Sequence, residues 1–183
     1  QLARVLVATL FQRDIAEAYA ALTYRETEPG NAVRAYSILG EASRSWNTGG
    51  TPVANVYEMT FDVEWANFWD SSLHLHVEPS HYDDRLTRGG PLARTGAYQE
   101  AFINLSGNPA RRVRWNASLL HFDNEDGDRS RSADLGLDYT LGNRWQIGIE
   151  LGGNSTREAR QYIAALPGGR AETFGTRYIF AAL

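Results

Sequence analysis

The sequence predicts an all-β chain, an antiparallel up-and-down meander of about nine long strands. Three observations predict it: apolar and polar residues alternate over long stretches, connections alternate between short and long, and no apolar run reaches the ~18 residues of a membrane helix. Alternation is clearest over residues 144–152. There Trp145, Ile147, Ile149 and Leu151 share one parity, and Gln146, Gly148, Glu150 and Gly152 the other. Successive side chains of a strand point to opposite faces, so this is a strand with two chemically different sides.

Taken in order, the first dozen residues stay open between strand and helix, because Leu2, Val5, Leu6 and Leu10 also suit one face of a short helix. Strands are expected over 15–25 and 33–46. Over 53–65, Tyr57, Met59, Phe61, Val63 and Trp65 stand against Glu58, Thr60, Asp62 and Glu64. Three acids on one face cannot line an apolar core. Leu73, Leu75 and Val77 alternate with His74, His76 and Glu78, and a further strand fits 98–105. Val113 and Trp115 oppose Arg112, Arg114 and Asn116 over 112–116. Ala133, Leu135, Leu137, Tyr139 and Leu141 oppose Asp134, Gly136, Asp138 and Thr140 over 132–141. Gly142-Asn143 then makes a tight hairpin into 144–152, since both residues tolerate positive φ. A last strand is expected over 175–183.

Short connections fall at 28–31, 67–71, 107–109 and 142–143, and longer polar ones at 47–52, 80–97, 124–131 and 154–174. Short turns at one rim and long loops at the other are the habit of bacterial outer-membrane barrels. Trp46, Phe68, Trp69 and Trp145 lie near strand ends, where an interfacial aromatic girdle would stand. The mean hydropathy of −0.42 agrees, because only alternate residues of such a wall need be apolar. The fold is therefore expected to be part of a transmembrane β-barrel. A soluble sandwich or lipocalin-like barrel also alternates, but its polar side faces outward around an apolar core and its strands are shorter. Nine strands are odd, and an open edge would leave backbone groups unpaired in hydrocarbon. The chain is thus expected to be a segment of a larger barrel or one chain of an assembly.

The 183 residues suit one domain spanning 1–183. Lys and Arg total 18 against 22 Asp and Glu, which provides no basic field for phosphates, so no nucleic-acid partner is expected. Cysteine is absent, which excludes disulfides, thiolate metal sites and a Cys nucleophile. The start at Gln1 lacks a Met and the layout of a secretory signal. Either a signal has been removed or the chain belongs to something longer. No nucleophile motif, dinucleotide fingerprint or internal repeat is visible.

At Asp83-Asp84-Arg85-Leu86-Thr87-Arg88-Gly89-Gly90-Pro91-Leu92, at Ser45-Trp46-Asn47, at Asn67-Phe68-Trp69 and at the closing run from Phe174 to Ala181, the chain resembles a family. This is a group of uncharacterised bacterial outer-membrane β-barrel proteins whose full-length members carry an N-terminal carbohydrate-binding-like module of the family 9 (DOMON-like) type. The likeness runs from about Phe11 to Leu183 and departs at Gly107-Asn108-Pro109-Ala110. It implies location in the bacterial outer membrane, further strands after Leu183, and a sugar-binding-like domain before Gln1. It carries no catalytic residues.

The function expected from these readings is a structural or transport component of the outer membrane, with the lipid bilayer as partner and no cofactor. Its polar lumen would be lined by Glu58, Asp62, Glu64, Arg112, Arg114, Asp134, Asp138 and Glu150, and would meet a carbohydrate or other polar ligand. Two alternatives belong to other classes. One is an outer-membrane hydrolase using His74, His76 and Asp83, and the other a soluble carbohydrate-binding β-domain.

Candidate site residues fall in three groups. His74, His76 and Glu78 project from one strand face about 7 Å apart, a spacing from which two imidazoles can grip one zinc, with His81 or Asp83 added from the loop. The alternative is that they form part of a wet polar interior, and on that reading no metal or catalytic residue is assigned. Asp83, Asp84, Arg85, Arg88, Gly89 and Gly90 form a loop able either to make an anion-binding nest or to make a rigid turn with Asp–Arg pairs. The acidic turn at 124–128 offers carboxylates for calcium but lacks the spacing and closing Glu of an EF-hand.

Overall fold

The computed structural model describes residues 2–12, 15–83, 85–88, 90–142, 144–159 and 161–182. Asn143, half of the expected hairpin turn, and the loop residues Asp84 and Gly89 lie outside them. The strands are β1 (Leu2–Gln12), β2 (Ile15–Glu26), β3 (Val33–Asn47), β4 (Pro52–Trp65), β5 (Asp70–Glu78), the short β6 (Tyr82–Asp83) and β7 (Ala93–Arg94), β8 (Tyr98–Ser106), β9 (Val113–Asn124), β10 (Arg129–Leu141), β11 (Trp145–Arg157), β12 (Gln161–Pro167) and β13 (Thr176–Ala181). Nine of them form one antiparallel sheet in the order β1-β2-β3-β4-β5-β8-β9-β10-β11. The first dozen residues resolve as strand: β1 ladders onto β2 from Leu2 opposite Arg25 to Gln12 opposite Ile15.

Three expectations are not met. The last expected strand does not extend the meander, because β13 pairs with β12 in a separate hairpin. The stretch 154–174, read as a loop, holds the end of β11 and all of β12. The larger correction concerns closure. The outermost strands β1 and β11 do not pair with each other, so the sheet is open and not a barrel. An open edge in hydrocarbon leaves its N–H and C=O groups unpaired, at several kcal/mol each. The expected transmembrane barrel, its lumen, the outer-membrane location, the bilayer as partner, assembly into a larger barrel and the transport role are corrected accordingly: the chain forms an open sheet flanked by two separate hairpins. Among the described residues no helix is long and apolar enough to cross a membrane.

The parities do separate into two faces. One row across the sheet is polar, running Arg25, Ser37, Asp62, Ser72, Asn104, Ser118 and Asp134. A neighbouring row on the other face runs Tyr24, Ile38, Phe61, Leu73, Ile103, Leu119 and Ala133. No hydrophobic side chain is buried among the described residues, and Leu135, Ile147 and Ile149 are 48%, 57% and 56% exposed. They do not converge on a shared core, so the nine-stranded sheet is not packed face to face as in a sandwich.

Turns place the strands in register. Between β4 and β5, Asn67 Oδ1 accepts the N–H of Trp69 at 3.1 Å while Phe68 takes the left-handed conformation at φ 64°. This is the side-chain-to-backbone turn that Asn favours. Gly142 has φ 61° after β10, as the hairpin there requires. The 79–97 loop folds back on the terminal hairpin, where Arg88 lies over the Tyr162 ring, 4.6 Å from its centroid.

Candidate metal centre

The polar face of β4 and β5 carries the one group of His, Asp and Glu donors that converges tightly among the described residues. Glu58, His74 and His76 each offer a ligand atom, and these lie within 4.8 Å of one another. Register creates the group. Glu58 stands directly opposite His76, and Thr60 opposite His74, so their Cβ atoms are ~5 Å apart on one face. All three ligand residues are partly buried, with side chains 32%, 32% and 15% exposed.

Hydrogen bonds hold the donors in place. Thr60 Oγ1 lies 3.1 Å from His74 Nδ1. With Nδ1–H donating to that hydroxyl, the lone pair sits on Nε2, which is 3.8 Å from Glu58 Oε1. His76 Nδ1 lies 2.9 Å from the same oxygen. The His76 ring stacks on Tyr98 of β8, with centroids 4.9 Å apart and planes 12° from parallel. Its Nε2 is buried without a hydrogen-bond partner. Burial, a hydrogen bond to Glu78, and the charges of Glu78, Glu100 and Glu58 push the Tyr98 phenol well above its ordinary range. Tyr98 is therefore a neutral phenol wall against His76.

From the sequence, His74 and His76 group with Glu78 as metal candidates; the donor group that converges in the structure is Glu58, His74 and His76. In the structure Glu78 is buried, its carboxylate 3.3 Å from His81 Nδ1 and bonded to Tyr98. Glu58 on the neighbouring strand occupies the place facing both imidazoles. The signal for Glu58 was present: the hairpin centres on Asn67, and nine residues either way are Glu58 and His76. Asp83, the third member of the hydrolase alternative, accepts the backbone N–H groups of Arg85 at 2.6 Å and Leu86 at 3.1 Å. It closes a turn outside the three-donor group.

In the loop reading, Arg88 has φ 52° and spends its guanidinium on Tyr162. Gly90 is pressed so closely on Tyr178 that an added Cβ would lie 1.9 Å from its hydroxyl. The acidic turn is likewise engaged in holding backbone. Asp126 accepts Gly96 N–H at 3.1 Å, Glu125 accepts Ala97 N–H at 3.1 Å, and Asp128 accepts Ala159 N–H at 2.6 Å. A second imidazole–carboxylate pair, His121 and Asp123 at 3.2 Å, has its other ring nitrogen occupied by Arg131 at 3.3 Å. That imidazole has no free nitrogen to serve as a base.

Comparison with protein-family models, with curated proteins and with solved structures returns no match. The resemblance to outer-membrane barrels with a DOMON-like module is therefore not upheld, in agreement with the open sheet. What fold and site together define is an open antiparallel β-sheet domain with a His, His, Glu donor set on its polar face.

Proposed function

We propose that Glu58, His74 and His76 hold a divalent transition metal, zinc by donor type, and that this centre makes the chain a metal-dependent hydrolase. Two imidazoles and one carboxylate are a donor set of catalytic zinc, leaving a fourth position for water. Ligands around tetrahedral zinc stand about 3.3 Å apart, given bonds of ~2.0–2.1 Å. The separations of 2.9 and 3.8 Å from Glu58 Oε1 to the two imidazoles bracket that value. A metal there polarises a carbonyl and brings the ionisation of bound water towards neutrality. The partial exposure of His74 and Glu58 leaves an approach for substrate. The observation that carries the reading is the convergence of three donors from adjacent strands, with Thr60 Oγ1 3.1 Å from His74 Nδ1.

Calorimetric titration of metal-free protein with zinc tests it, together with metal analysis and hydrolysis of p-nitrophenyl acetate. One zinc per chain is expected, with activity removed by chelation and regained on adding zinc. His74→Ala, His76→Ala and Glu58→Ala should each lose most of the affinity. Zinc affinity unchanged in His76→Ala would end the proposal.

A second reading, saccharide binding, has its own observation. A cleft of about 560 Å³ at the turn end of the sheet is lined by Trp65, Trp69 and Trp115, with Asn67, Asp70 and Ser71 among its polar groups. Trp69 and Trp115 meet edge to face with centroids 5.0 Å apart. Aromatic walls with a few placed polar groups suit a ring with apolar faces and hydroxyl edges. Tryptophan fluorescence titrated with neutral glucan, mannan and chitin oligomers checks this reading. No change with any of them removes it.

A further inference from the structure

The row of residues through the centre runs Glu41, Glu58, His76 and Glu100, on β3, β4, β5 and β8. Glu58 and Glu100 therefore flank the His76 imidazole, with Glu41 one strand beyond Glu58, and the three carboxylates are engaged differently. Glu58 faces both imidazoles. Glu41 accepts the hydroxyl of Tyr19. Glu100 is partly buried and makes no hydrogen bond or ion pair among the described residues. It stands directly opposite His76 on the same face, at a Cβ separation of ~5 Å, yet outside the three-donor group.

Opposite this unengaged acceptor lies an unengaged donor site, the buried Nε2 of His76. The two are linked by metal binding. A metal seated between His76 Nδ1 and Glu58 Oε1 replaces their hydrogen bond, and the neutral ring then carries its proton on Nε2. A buried N–H without an acceptor costs about 1–3 kcal/mol, and ligating imidazoles almost always donate their second nitrogen to a carboxylate, carbonyl or water.

Building on the zinc reading above, we infer that Glu100 is the positioning carboxylate of the centre, accepting the Nε2–H of His76 when Nδ1 ligates the metal. Glu100 acts through His76, fixing its tautomer and ring orientation, and does not itself ligate. Neither Glu41, held by Tyr19, nor Glu78, held by Tyr98 and His81, is free to do the same.

Zinc titration and nitrogen-15 NMR of the imidazoles, on the wild-type chain, Glu100→Gln and Glu100→Asp, test the inference. The wild type is expected to bind zinc with His76 protonated on Nε2. Glu100→Gln should weaken binding about 10- to 100-fold and shift the His76 Nε2–H resonance, with Glu100→Asp recovering part of both. Wild-type affinity in Glu100→Gln overturns the inference and leaves the metal centre standing. So does a loss of affinity with the Nε2–H resonance unmoved, which would make Glu100 a ligand or a purely structural group. A wild-type chain that binds no zinc removes the metal centre, and this role with it.

Discussion

Replacing Thr60 by Val removes one oxygen from behind the proposed metal centre and leaves all three donor groups in place. Val is close to Thr in shape and equally suited to a strand, so the β4–β5 ladder should survive. The oxygen lies 3.1 Å from His74 Nδ1, and with Nδ1–H donating to it the unprotonated nitrogen is Nε2, on the side of Glu58. A typical net hydrogen bond contributes about 0.5–1.5 kcal/mol. The tautomer and rotamer freedom returned to a ring that is 32% exposed adds to that figure. Removing such a partner commonly costs 10- to 100-fold in metal affinity, about 1.4–2.7 kcal/mol. We expect Thr60→Val to weaken zinc binding by about tenfold and Thr60→Ser to leave it near wild type, both measured by calorimetry. At zinc 100-fold above its dissociation constant, bound metal stabilises the fold by about 2.7 kcal/mol. The zinc-induced rise in Tm at fixed concentration should therefore shrink in Thr60→Val and not in Thr60→Ser. Equal affinity for Val and Thr would refute the orienting argument, since nothing else in the substitution touches the donors.

Tyr98→Ala should lower zinc affinity about threefold to tenfold by removing the wall that holds the His76 ring, a stack of ~0.5–1.5 kcal/mol, while Tyr98→Phe keeps it; equal affinities in calorimetry would deny the stack a role. Gly107→Ala should cost about 1–3 kcal/mol in urea unfolding, because the added Cβ would lie 2.4 Å from Trp115 Nε1; an unchanged midpoint would show that the indole moves freely. Glu26 has its carboxyl held below its ordinary 4.5, first by the N–H of Glu28 and also by that of Thr27. Its contribution to stability is present above that ordinary value and is lost as pH falls through the lowered one. Glu26→Gln should flatten that acid-side part of the stability curve. The effect is small because the group is only partly buried and screened by solvent, and an identical acid profile in the variant would count against it.

The strands of the meander were legible because alternation is a local property: each residue's parity decides its face whatever lies across the sheet. Tyr57, Met59, Phe61 and Val63 against Glu58, Thr60 and Asp62 needed no partner to be read. The first dozen residues were not legible, since Leu2, Val5, Leu6 and Leu10 satisfy two periods at once, and pairing with β2 settled them as strand. At the candidate site, His74 and His76 were visible as neighbours on one strand face. Glu78 was the natural companion by spacing, and Glu58 replaced it because the cross-strand neighbour is nearer than the residue two positions along the strand.

By itself the sequence determined which residues form strands, which parity is polar, and where Asn67 and Gly142 turn the chain. Only the tertiary structure decided that β1 and β11 stay apart, that β12 and β13 pair with each other, and that Glu58 joins the two histidines. Face and turn are set by bonds within a few residues. Closure and cross-strand company depend on which backbones meet through hydrogen bonds between distant segments, and no periodicity encodes that choice.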